Sequence, residues 1–100
     1  MKSHQYRITV EHLATPEGGG ITHAPLVFTT TNHDDIFAIK ERIAGKLDLS
    51  PEAEAPFIIG LKLFTEVILM HRKTPLFIKT QKLIWEFMKS LKSHLRQSSR

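Results

Sequence analysis

A chain of 100 residues with 41% hydrophobic side chains and a formal net charge of +4 has the size of one domain and enough apolar material for a core. It has no cysteine, which excludes disulfides and thiolate metal sites and fits a reducing compartment. The opening Met1-Lys2-Ser3-His4-Gln5 has no apolar signal core and no apolar run approaches the roughly 20 residues that span a bilayer, so a soluble, cytoplasmic protein is expected.

Residues 5–13 alternate strictly, with Tyr6, Ile8 and Val10 on one side and Arg7, Thr9 and Glu11 on the other. Period two with aromatic and β-branched residues predicts a half-buried strand. Residues 25–31 predict a second strand, with Leu26 and Phe28 on its buried face. Pro25 stands at its entry, where a residue without an N–H costs no ladder bond. The connection from Ala14 to Ala24 is long for a hairpin and holds Gly18-Gly19-Gly20, so it is expected to be mobile. A phosphate-cradling loop would need a strand before it, a helix after it and a closing Gly-Lys-Ser/Thr. Here a strand follows, and no lysine is near.

Helix one is expected to start near Asn32-His33-Asp34-Asp35, with Asn32 as cap and two carboxylates at the positive end of the helix dipole. Ile36, Ile39, Ile43 and Leu47 recur at helical spacing, and Gly45 weakens or ends the helix. Ser50-Pro51 pairs a capping residue with proline at the first helical position. Helix two should then run to about Arg72, broken or kinked at Pro56. Phe57, Gly60, Leu61, Phe64 and Ile68 share one side of it, and Ile59, Leu63, Val67 and Met70 widen the apolar arc to about 200°. Lys62, Thr65 and Glu66 mark its polar strip. Such a helix is predicted to be central, or shared with another subunit. Gly60 inside the arc costs roughly 1 kcal/mol relative to alanine, so its expected role is to admit a close approach by another element.

Thr74-Pro75 repeats the cap-then-proline signal for helix three, with an apolar stripe of Leu76, Phe77, Thr80, Leu83, Ile84, Phe87, Met88 and Leu91. The polar stretch from Ser93 to Arg100 is expected to fray. The predicted fold class is α+β, a two-stranded antiparallel hairpin followed by three helices (ββααα) with the second helix central. The hairpin leans on the helices, because a lone hairpin is marginal in water. One domain is expected over residues 1–92, with a tail over 93–100.

The segments Tyr6-Arg7-Ile8-Thr9-Val10, Asn32-His33-Asp34-Asp35-Ile36-Phe37 and Gly60-Leu61-Lys62-Leu63-Phe64-Thr65-Glu66-Val67, with Arg72 and Pro75-Leu76-Phe77, occur in that order. Together they resemble a small bacterial family catalogued only as a domain of unknown function. The resemblance spans roughly residues 1–92 and implies no activity that can be carried onto these positions. Pro56 and the tail from Ser93 depart from the family pattern.

No catalytic or metal-binding signature is present. The six histidines lie at positions 4, 12, 23, 33, 71 and 94, without the spacings that converge two imidazoles on one helix face. His33-Asp34-Asp35 is explained by a helix start, since adjacent helical residues point about 100° apart. Ser50 reads as a cap, and no nucleophile elbow of Gly-x-Ser-x-Gly form exists. His71, on the apolar side of helix two near its end, reads as a partly buried capping histidine, where the dipole favours a cation. No cofactor, metal or catalytic residue is assigned, and an enzyme is not expected.

One surface stands out. Ile78, Lys82, Trp85, Lys89, Lys92 and Arg96 follow spacings of four, three, four, three and four, so they share a face of helix three. It is a candidate partner-binding face, with Trp85 as anchor and the cations as steering charge. The alternative is that Trp85 tucks inward and the lysines form an ordinary wet face. Charge is also uneven. Residues 1–70 carry six Lys or Arg against nine Asp or Glu, a balance of −3, and residues 71–100 carry eight against one, a balance of +7.

The function expected from these features is a non-enzymatic binding or assembly module acting as a homodimer. Open strand edges and a helix apolar nearly all round both favour burial against a second copy. The alternative is a nucleic-acid-associated protein using the basic C-terminal helix.

Overall fold

The structure is a computed structural model that describes residues 2–20 and 23–98. It confirms an α+β fold whose elements run β1 (His4–Val10), β2 (Leu26–Asn32), α1 (Ile36–Ile43), α2 (Pro51–Met70), α3 (Pro75–Ile78) and α4 (Gln81–Ser98). The chain divides into two compact units, Met1–His33 and Asp34–Arg100.

In the first unit β1 and β2 pair antiparallel, in register from His4 opposite Asn32 to Val10 opposite Leu26. The register sets Ile8 opposite Phe28 and Val10 opposite Leu26, two apolar cross-strand pairs, and Arg7 opposite Thr29. Leu26 and Phe28 were expected on a buried face, yet both are exposed. A two-stranded sheet has no second layer within its own unit to cover them. The connection opens with a defined turn. The Gly18 N–H donates to the Thr15 carbonyl at 2.9 Å, and the Gly19 N–H to Thr15 Oγ1 at 2.8 Å. Gly18 has φ +77°, which a residue with a side chain rarely adopts.

In the second unit Asp35, not Asn32, caps α1. Its Oδ1 accepts the N–H groups of Phe37 at 3.1 Å and Ala38 at 3.2 Å. Asn32 is unavailable for that role because β2 extends through it. The helix ends at Ile43, short of Leu47, where Gly45 turns to φ +73° and the Lys46 N–H donates to the Ile43 carbonyl. α1 packs on α2, and the buried hydrophobic residues are Ile36 and Ile43 from one, Ile58 and Ile68 from the other. Full burial of a side chain of this size contributes about 1.5–3 kcal/mol. Pro56 does not break α2. It lies in the second turn, where its missing N–H forfeits a single helical bond, to Glu52.

Helix three of the sequence reading is two helices, so there are four in all. The separation falls at Lys79-Thr80, where the Thr80 N–H reaches only to Phe77 in a tightened turn. Thr80 Oγ1 meanwhile donates back to the carbonyls of Leu76 and Phe77, a local bond that competes with regular helix. The Gln81 side-chain amide donates to the Arg72 carbonyl and braces the same turn. The segment from Ser93, expected to fray, continues as α4 through Ser98, while residues 99–100 lie outside the described residues. Leu95 extends the half-buried side of the helix there, and His94 approaches Asp48 at 3.7 Å. No helix among the described residues is long and apolar enough to cross a membrane.

Candidate functional site

The six residues of the proposed face do not behave alike. Ile78, Lys82, Lys89, Lys92 and Arg96 are exposed, whereas Trp85 is half-buried. Its neighbours in burial are Ile84, Met88, Leu91 and Leu95, which follow helical spacing and make the inward side of α4. The stripe read as core is correspondingly rotated: Leu76, Leu83 and Phe87 are exposed. Phe87 still meets Phe57 of α2 edge to face, ring centroids 6.4 Å apart. The cations therefore form a solvated row without the ring at its centre. No ion pair among the described residues ties Lys82, Lys89, Lys92 or Arg96 to a carboxylate.

A second surface is built by α2. Its polar strip is turned partly inward. Lys62 is largely covered and donates to Asp34 Oδ2 at 2.7 Å, and Thr65 Oγ1 donates to the Leu61 carbonyl at 2.8 Å. With those groups satisfied inside the unit, the ridge left outside is apolar: Phe64 is 55% exposed, Val67 48% and Met70 68%. Gly60, one turn before Phe64, is exposed too, and a Cβ added there would meet nothing within 4 Å. The close approach expected at Gly60 is thus not made by any described part of this chain. At the end of the ridge His71 caps the helix, exposed rather than partly buried, its Nδ1 2.9 Å from the Val67 carbonyl. Beyond it an open depression of about 450 Å³ is lined by Leu69 to Thr74, bringing Arg72 and Lys73 beside Met70.

A family model described as "Domain of Unknown Function with solved-structure structure (DUF3861)" matches residues 4–93. The chain belongs to DUF3861. The match spans both the hairpin and the helices, in agreement with the resemblance over roughly 1–92. A crystal structure of a protein of unknown function from Pectobacterium atrosepticum is also similar. It is 38% identical, with a TM-score of 0.81 over 92% of this chain and 99% of that one. No curated protein matches.

Sequence reasoning missed two arrangements in this DUF3861 chain. Glu54 is buried, its Oε2 accepting the Gly45 N–H at 2.8 Å, and so holds the α1–α2 connection. His12 and His23, eleven residues apart, lie in hydrogen-bond contact at 2.8 Å. Carrying the β1–β2 register two steps past Val10 and Leu26 sets His12 level with Ala24, beside His23, so the hairpin pairing was the signal that could have found them. The cluster His33-Asp34-Asp35 does not converge: Asp35 caps α1 and Asp34 pairs with Lys62.

Proposed function

We propose that this protein is a non-enzymatic assembly module that works as a homodimer, with the α2 ridge of Gly60, Phe64, Val67 and Met70 as its interface. The observation that carries this reading is the inversion on α2, in which Lys62 and Thr65 are used within the unit and the apolar ridge faces water. Covering Phe64 or Met70 contributes about 1.5–3 kcal/mol each, and Gly60 offers the place where a second helix backbone can come close.

A second copy is the occupant best supported. A ridge meeting its own image across a two-fold axis is the commonest form of subunit contact. The chain is also complementary to itself in charge, −3 over residues 1–70 and +7 over 71–100. Lack of cysteine supports a cytoplasmic setting. Sedimentation equilibrium tests the reading: the wild-type chain should approach twice its 11.5 kDa mass, and Val67→Asp should return it to one. A wild-type mass that stays at a single chain across concentrations overturns it.

A second reading rests on the exposed row of Lys82, Lys89, Lys92 and Arg96, which pairs with no carboxylate among the described residues and would bind a nucleic acid backbone. Fluorescence anisotropy should then report binding that weakens steeply with salt, as counterion release requires. No binding at low salt removes it.

A further inference from the structure

We propose that His12 Nδ1 and His23 Nε2 form a two-histidine site for a divalent late first-row transition metal ion. The two nitrogens face each other at 2.8 Å, with ring centroids 4.9 Å apart and ring planes at 81°. Two imidazole nitrogens on a tetrahedral ion, each about 2.0–2.1 Å from it, stand roughly 3.3 Å apart. Parting the pair by about half an ångström and turning the two exposed rings, so that both lone pairs converge on one point, therefore makes room for the ion.

Both rings are exposed, so a hydrated ion reaches them without opening the fold. The pair is positioned by structure on either side of His12. The ladder ends at Val10 and Leu26, and the Thr15 turn folds the connection back. Imidazole ligands select copper, nickel or zinc over magnesium and calcium, which take oxygen, and the Irving–Williams order places Cu²⁺ first.

No third His, Cys, Asp or Glu among the described residues joins the pair. Water therefore fills the remaining positions, and the site is an exchangeable one, unlike a closed structural zinc centre. In the metal-free pair one facing nitrogen carries the hydrogen of the shared bond. On binding, that ring moves its proton to its other nitrogen, so both lone pairs face the ion and neutral rings release no net proton. Because ligating imidazoles must be unprotonated, binding weakens in acid.

The site lies in the hairpin unit and does not depend on dimer formation through α2. Calorimetric titration of the full chain with Cu²⁺ and with Zn²⁺ tests it. One ion per chain is expected. His12→Gln or His23→Gln should each weaken binding about tenfold or more, because the second ligand acts at high effective concentration, whereas His4→Gln should not. In the wild-type protein, traces of Cu²⁺ should broaden the imidazole resonances of His12 and His23 before those of the other histidines, a readout independent of how any variant folds. Absence of binding, binding unchanged in both variants, equal loss in His4→Gln, or earlier broadening of another histidine each overturns the proposal.

Discussion

Glu54 joins two backbone problems with one carboxylate. It lies in the first turn of α2, where a negative charge complements the helix dipole, and it is only 7% exposed. Its partner, the N–H of Gly45, belongs to a residue at φ +73°. A residue with a Cβ is disfavoured in that conformation by roughly 1–2 kcal/mol. The carboxylate thus fixes the turn that ends α1 to the start of the helix α1 packs on. Glu54→Ala should lower stability by about 1.5–3 kcal/mol, the contribution of a hydrogen bond to a charged acceptor. Glu54→Gln, which keeps a carbonyl oxygen but loses the charge, should lose less. Urea denaturation measures both. The midpoint should fall with the slope unchanged, and an alanine variant with the wild-type midpoint would show that the bond contributes nothing.

At the level of elements, what could be read was what is encoded locally. The alternation of Tyr6, Ile8 and Val10 placed β1, and Ser50-Pro51 and Thr74-Pro75 placed two helix starts, because a proline at the first helical position acts through its own φ and its missing N–H. In neither helix does the Ser or Thr side chain make a capping bond, so proline carries that signal. What could not be read was decided by competition between neighbours. Asn32 and Asp35 are both good caps, and the length of β2 gave the role to Asp35. Thr80 is compatible with a helix by pattern, and its hydroxyl's bonds back to Leu76 and Phe77 separate α3 from α4. α4 has apolar residues on more than one side, so periodicity alone could not say whether Trp85 or Leu83 faces inward. On α2 the strip of Lys62 and Thr65 was visible, but its inward turn depends on Asp34, twenty-eight residues away. The candidate face was therefore legible in its cations and not in its ring, and the α2 ridge only in composition.

For the whole molecule the decisive residue is Gly60, since its two possible settings respond to one methyl group in opposite ways. In a chain that stays single, Gly60→Ala fills open space, with nothing within 4 Å of the new Cβ. It then removes the conformational cost of a mid-helix glycine, about 1 kcal/mol, which raises the Tm of a domain of this size by about 4–8 °C. In a dimer whose backbones meet at Gly60, the same methyl holds the two helices apart and loosens the packing of Phe64 and Val67. Because association stabilises a folded chain by mass action, the wild-type Tm should climb with protein concentration. The variant should be the more stable protein at high dilution and should lose that advantage, with its dimer fraction reduced, as concentration rises. Thermal denaturation paired with sedimentation at matched concentrations reads both effects. A variant stabilised equally at every concentration, with unchanged mass, places no second copy against Gly60 and removes the α2 ridge as an interface.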